Sequence, residues 1–147
     1  MRLESYEIKA KDSLMTFEFI SEGPKGAIKK RVQFQKTSRI NLYNLAFGDV
    51  NDETDDFDDT VISDNNDAVK VLNTVANTVK IFLNNYPMAK VYAKGSNVAR
   101  TRLYRIGISN NLEYINEQFK VLGQLDDRVW FEYEKNQNYS AFLIEKK

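Results

Sequence analysis

The side chains best suited to binding chemistry in this chain are concentrated in one short segment, residues 93–105. A Gly-Ser-Asn turn follows a short apolar stretch and precedes residues with helical spacing. The first turn of a helix presents unpaired backbone N–H groups and a partial positive charge, which together attract anions. Four basic side chains strengthen that potential. The predicted anion-binding residues are Lys94, Gly95, Ser96, Arg100, Arg102 and Arg105.

Helix geometry limits what these arginines can do together. Arg102 and Arg105 are three residues apart and share a face, whereas Arg100 points about 200° away from Arg102. The three side chains therefore cannot all hold one small anion on the helix surface. The competing interpretation is that they pair with the acidic residues of the segment 49–67 and fix that segment in place. Ser96 or Asn97 is then a plain helix cap.

The composition excludes much of the usual catalytic chemistry. The 147 residues include no cysteine and no histidine, which removes thiolate zinc sites, cysteine nucleophiles and every triad with an imidazole base. A metal ion would require oxygen ligands and would be magnesium, calcium or manganese. We therefore expect no set of catalytic residues, no bound cofactor and a function in binding rather than catalysis.

The formal net charge of zero hides a strong segregation of charge. Residues 1–39 contain nine basic and five acidic side chains, and residues 70–147 contain twelve basic and seven acidic ones. Residues 40–69 contain nine acidic and no basic side chains. Such asymmetry bears on the choice of partner. The leading prediction is a non-catalytic binding protein whose basic helix start engages nucleic acid or an acidic protein segment.

The acidic segment, residues 49–67, supports two alternatives. It can serve as the contact of a protein–protein component, for example in a small toxin–antitoxin or defence-like system, or it can bind a divalent ion loosely through four aspartates. The spacing lacks the glycine and the final glutamate of an EF-hand loop. A metal-dependent nuclease is a third hypothesis, because its carboxylates could come from Glu7, Glu18 and Asp49. The four aspartates are Asp55, Asp56, Asp58 and Asp59.

The surrounding elements read as one α+β domain over residues 1–147. Alternating residues predict a hairpin over 14–34 around a Gly-Pro turn, a third strand over 40–47 and a short edge strand over 6–9. Lys29 and Arg31 of the hairpin lie opposite Ile28 and Val32 and are expected on a solvated face or in a nucleic-acid track that includes Lys25 and Lys30.

Apolar residues at steps of three and four predict a long helix over 67–86, ended by Pro87. A strand over 89–93 follows. Two shorter helices are expected over 98–108, with Ala99, Leu103 and Ile106 inward, and over 112–122. Strands over 129–134 and 139–145 close the chain as a hairpin. The prediction is an antiparallel meander, a long amphipathic helix, a strand, two shorter helices and a C-terminal hairpin.

Four phrases in this order resemble a family of small bacterial proteins of unknown function that is frequent in the Bacteroidota. They span residues 23–30, 43–49, 71–87 and 95–104, the last being Gly-Ser-Asn-Val-Ala-Arg-Thr-Arg-Leu-Tyr. The resemblance implies a stand-alone bacterial protein and carries no activity, substrate or catalytic residue. With no apolar run long enough to span a bilayer and no signal-like N-terminus, a cytoplasmic protein without membrane contact is expected.

Overall fold

A computed structural model describes residues 4–58, 64–125 and 128–147. In this part of the chain, three helices lie against one mostly antiparallel sheet of nine strands, which confirms the α+β prediction. The strands are β1 (Lys9–Lys11), β2 (Thr16–Gly23), β3 (Gly26–Lys36), β4 (Leu42–Val50), β5 (Phe57–Asp58), β6 (Lys90–Ala93), β7 (Phe119–Gln124), β8 (Trp130–Glu132) and β9 (Ala141–Lys146). The helices are α1 (Ala68–Asn85), α2 (Val98–Asn110) and α3 (Leu112–Gln118).

The strand order across the sheet is β1-β2-β3-β4-β6-β9-β7-β8, and β5 pairs with β4 beside this path. The first four strands form the predicted antiparallel meander. The parallel pair β4–β6 is connected through α1. None of the described helices is long and apolar enough to cross a membrane.

The strand register fixes which side chains face the helices. Phe19, Lys30 and Asp49 are direct partners on β2, β3 and β4, and therefore point to the same side of the sheet. Phe34 lies on that side and stacks on Phe82 of α1, with ring centres 4.2 Å apart. Glu18 and Arg31, also direct partners, point to the opposite side. We call these two sides the helix face and the outer face.

Helix α1 confirms the long amphipathic helix, with Val71, Leu72, Val75, Val79 and Phe82 buried. Asp67 occupies the cap position without capping the helix. Its carboxylate instead accepts hydrogen bonds from the hydroxyls of Tyr6 (2.6 Å) and Ser21 (2.5 Å). The start of α1 is thus tied to the N-terminal segment and to β2.

Several boundaries differ from those predicted, most notably at β7 and at β1. The helix expected over 112–122 ends at Gln118, and Phe119 begins β7. Phe119, Val121 and Gly123 are buried while Lys120 is exposed, a period of two that pairs well with β9. The edge strand expected over 6–9 is instead β1, at Lys9–Lys11.

The two C-terminal strands form as expected, but they do not pair with each other. Both β8 and β9 pair with β7, one on each side of it. The hairpin at this end of the sheet is therefore β7–β8, and β9 lies between β7 and β6. Residues 119–122 were predicted to be helical, so a strand between β8 and β9 in the sheet was not expected.

Candidate functional site

The turn between β6 and α2 is fixed by a tightly packed glycine and by two hydrogen bonds from its backbone to side chains. A β-carbon on Gly95 would lie 2.2 Å from the backbone nitrogen of Thr101, so the position requires glycine. The Gly95 N–H donates to Thr101 Oγ1 at 3.1 Å. Asn97 caps the helix, because its Oδ1 accepts from the Arg100 N–H at 2.8 Å. Ser96 is exposed in this turn.

Arg100 points into the protein. Only 3% of the residue is exposed. Its Cζ lies 4.9 Å from the ring centre of Phe47 and 5.9 Å from that of Tyr104. All three guanidinium nitrogens are buried, and none donates a hydrogen bond to any residue that the structure describes. A buried guanidinium without an acceptor is costly, which sets Arg100 apart from an ordinary structural arginine.

The inward face of α2 is therefore not the predicted one. Ala99 is exposed, Leu103 and Ile106 are half-buried, and the buried residues are Arg100, Tyr104, Gly107 and Ile108. Gly107 makes the close approach to α1 possible, because a β-carbon there would lie 3.2 Å from Leu72 Cβ. The prediction assumed that arginines face solvent and aliphatic residues face the core, and this assumption selected the wrong face of α2.

The remaining predicted cations lie toward solvent. Lys94 and Arg102 are exposed, and Arg105 is half-buried with Nη1 donating to Asn138 Oδ1 at 3.1 Å. None of the three forms an ion pair with a described carboxylate. We refer to Lys94, which precedes α2, and to Arg102 and the half-buried Arg105 on the helix together as the exposed cations of α2. The structure thus gathers the six predicted residues in one turn and helix start, but in two layers, with Arg100 inside.

A second buried cation, Lys30, lies on the same side of the sheet. Lys30 is fully buried, and its Nζ donates to Asp49 Oδ1 at 2.5 Å. The Nζ also lies 6.0 Å from the ring centre of Phe47, the ring that Arg100 contacts. Lys30 was predicted to belong to the basic surface of the hairpin, and it is instead buried. Its phase with Ile28 and Val32 on β3 was the signal that placed it inward.

Arg31 holds part of the acidic segment on the outer face. Its Nε donates to Glu18 Oε2 at 2.7 Å, its Nη1 to the Asp55 carbonyl at 2.8 Å and its Nη2 to Asp55 Oδ1 at 2.8 Å. Its Cζ also lies 5.5 Å from the Phe57 ring centre. Among the described residues, the role once considered for the arginines of α2 thus belongs to Arg31, which is buried and not on a solvated face.

This network shifts the pKa values of its two acids. Burial alone would raise the pKa of Glu18, but the hydrogen bond and charge of Arg31, with Lys11 and Lys29 nearby, leave it below its usual value. The hydrogen bond from Arg31, followed by its charge, lowers the pKa of Asp55. Both carboxylates are therefore stabilised in their charged form.

The carboxylates considered for metal chemistry do not converge in the described part of the chain. No group of three or more acidic side chains there could hold a metal ion. Glu18 and Asp49 point to opposite faces of the sheet, and Glu7 is exposed outside any strand. Asp59, the fourth aspartate of the loose ion site, lies outside the described residues. A two-metal nuclease needs its carboxylates on one side, which this arrangement does not give.

A cleft of about 520 Å³ lies between the helices and the sheet. Its walls come from α1, α2 and α3, and its floor from β4, β6, β7 and β9. The wall on α2 includes Tyr104, Gly107 and Ile108, the same residues that form the buried face of that helix. This cleft could not be predicted from the sequence, because it depends on how the three helices pack over the sheet.

The chain belongs to the family of unknown function DUF6934, whose model matches residues 2–147. The match covers all the elements described above. Neither the curated proteins nor the solved structures contain a match to the chain.

Proposed function

We propose that the protein is a non-catalytic binding protein that engages an anionic partner at the start of α2. The observation that carries this proposal is that the cations of this segment have no carboxylate partner among the described residues. The chain has as many acidic as basic side chains, so partners for them exist in its composition. Within the described part, Asp55 of the acidic segment is instead anchored by Arg31, on the opposite face of the sheet.

The layout of the segment supports an anionic partner of extended shape. The exposed cations of α2 lie on the solvent side, and the Gly95 turn and the Asn97 cap fix their backbone. Rigid placement lowers the entropy that binding must overcome. Phosphate groups of nucleic acid are the first candidate, because arginine matches their geometry with two parallel hydrogen bonds. An acidic protein segment offers carboxylates with the same geometry.

The test is fluorescence anisotropy with labelled single-stranded and double-stranded oligonucleotides, and with a labelled glutamate-rich peptide, at low and moderate salt. The variant carries Lys94→Gln, Arg102→Gln and Arg105→Gln. Its matched control carries Lys9→Gln, Lys36→Gln and Arg39→Gln, three exposed basic residues away from α2 in the chain. Arg100 is left unchanged because it is buried.

We expect salt-sensitive binding by the wild type and the control, and a loss of at least tenfold in the α2 variant. For an oligonucleotide, the slope of log affinity against log salt should also fall by about two to three. Equal affinity of the variant and the control would overturn the proposal, as would no binding of any of the probes at low salt.

The acidic segment supports a second candidate, a contact with a basic protein partner. Arg31 fixes Asp55 on the outer face, and Asp52, Glu53 and Asp56 beside it are exposed. Replacing Asp52, Glu53 and Asp56 with their amides should abolish such a complex in a pull-down with a basic partner and leave the circular dichroism spectrum unchanged. Retention of the complex by this variant would exclude the segment as the contact.

A further inference from the structure

The cleft between the helices and the sheet is lined mainly by apolar side chains, with the buried amides of Asn73 and Asn111 in its wall. Its floor includes Leu45, Phe119 and Ile144, and its walls include Val75 and Ile115. The charged residues that line it, Glu7 and Lys80, are both exposed and therefore belong to its mouth. A volume of about 520 Å³ lies within the usual range for small-molecule sites, which runs from about 300 to about 1,000 Å³.

The buried face of α2 connects this cleft to Arg100. Tyr104 and Ile108 line the cleft, and Arg100 precedes Tyr104 by four residues, one helical turn, on the same face. The Tyr104 ring contacts both the cleft and the guanidinium, whose Cζ is 5.9 Å from the ring centre. Arg100 itself does not line the cleft, so Tyr104 is the neighbour that the cleft and the guanidinium share.

The polar groups near the cleft differ in how well they are satisfied. Asn111 Nδ2 donates to Asn73 Oδ1 at 3.0 Å and to the Gly107 carbonyl, and Asn73 Nδ2 donates to the Glu4 carbonyl. Lys30 is neutralised by Asp49. Arg100, in contrast, has five N–H donors and no acceptor among the described residues. The group that would satisfy it is an anion with two oxygens, which a carboxylate supplies.

We propose that the cleft and Arg100 form one binding site for an amphipathic monoanion of the fatty-acid class. The hydrocarbon chain occupies the cleft, and the carboxylate pairs with the guanidinium of Arg100 after the Tyr104 ring turns aside. This inference shares with the proposed function only the placement of an anion at α2. Its ligand is small and buried, whereas the macromolecular partner contacts Lys94, Arg102 and Arg105 at the surface.

Isothermal titration calorimetry tests the proposal with three probes: decanoate, 1-decanol and acetate. Decanol keeps the chain and removes the charge, and acetate keeps the charge and removes the chain. The wild type should bind decanoate at one site per chain, decanol at least tenfold more weakly, and acetate not at all. The Arg100→Met variant keeps a long apolar side chain, and should bind decanoate no better than decanol.

A second variant tests the chain end of the site. Ala76 lines the cleft, and Ala76→Phe should weaken decanoate and decanol alike by at least tenfold. Arg39→Gln, at an exposed arginine far from α2 in sequence, is the matched control and should bind as the wild type does. Thermal unfolding of every variant confirms that each is folded before its affinity is compared.

Equal affinity for decanoate and decanol in the wild type would overturn the proposal, as would a preference for decanoate that survives Arg100→Met. No binding of decanoate would overturn it as well. Oligonucleotide and peptide anisotropy on the same preparations keeps the two proposals apart. If the wild type binds the oligonucleotide or peptide but not decanoate, this inference alone is refuted. If it binds decanoate but neither macromolecular probe, the proposed function alone is refuted.

Discussion

Two arginines of this protein are buried on opposite sides of one sheet and differ in what surrounds them. Arg31, on the outer face, donates to Glu18 and to Asp55 and is 7% exposed. Arg100, on the helix face, is 3% exposed and meets two aromatic rings and no described acceptor. A buried charge with partners contributes to structure, whereas one without them is costly to keep. Arg100 is thus a buried cation without an acceptor among the described residues.

The largest change in stability is expected when Arg31 is replaced. Arg31→Met removes the hydrogen-bonded partner of Glu18, whose side chain is 14% exposed, and leaves it only the longer ion pairs with Lys11 and Lys29 at 3.4 and 3.5 Å. We expect a loss of about 3 kcal/mol in the free energy of unfolding, measured by urea denaturation. The double variant Arg31→Met with Glu18→Met should recover a large part of the loss. A single variant as stable as the wild type would mean that the network contributes nothing.

The opposite sign is expected at Arg100. Arg100→Met removes an unsatisfied buried charge and retains an apolar side chain of similar length beside Phe47 and Tyr104. We therefore expect the unliganded variant to be more stable than the wild type by about 2 kcal/mol. Urea denaturation in a buffer of low ionic strength and without added anions measures this difference. A variant less stable than the wild type would indicate that Arg100 is satisfied within the fold.

A smaller effect is expected in how the stability of the fold depends on pH. The folded pKa values of Glu18 and Asp55 lie below their ordinary values of 4.5 and 3.8. The stabilisation from these carboxylates is therefore complete above about pH 4.5 and is lost as the pH falls through the lower folded values. Urea midpoints at pH 7 and pH 3 should differ more for the wild type than for Arg31→Met. If the urea midpoint falls equally in both proteins, the acid sensitivity does not come from the Arg31 network.

The smallest effect on stability is expected from the exposed cations of α2. Replacing Lys94, Arg102 and Arg105 with glutamine removes no ion pair to a described carboxylate, and the hydrogen bond from Arg105 to Asn138 that it removes is exposed. The free energy of unfolding should change by less than about 0.5 kcal/mol. A larger loss in urea denaturation would show that these side chains hold the fold together, and that their role in binding had been confused with a structural one.

The sequence predicted those parts of the fold whose signals are local. The β2–β3 hairpin followed from alternating apolar residues around a Gly-Pro turn, and α1 from one apolar stripe ended before Pro87. Residues 119–122 were assigned to a helix because Phe119 and Leu122 also fit a helical spacing. Their pairing with β9, more than twenty residues later in the chain, decides between the two periods.

The location of the candidate site along the chain could be predicted from the sequence, but the burial of Arg100 could not. The Gly95 turn, the helix start and its basic residues could be read from the sequence. The inward turn of Arg100 could not, because it depends on Phe47 in a distant strand and on the close contact of Gly107 with Leu72. Lys30 was closer to prediction, since the alternation along β3 already placed it on the side of Val32.

The measurement that tests the account most directly is the thermal midpoint of the wild type and of Arg100→Met, with and without decanoate. A ligand that supplies the missing partner of Arg100 stabilises the folded state, so decanoate at about 100 times its dissociation constant should raise the midpoint of the wild type by several degrees. At that same concentration, Arg100→Met should shift by a small fraction of this amount. Equal shifts in the two proteins, or no shift in the wild type, would contradict the assignment of Arg100 as an anion-binding residue.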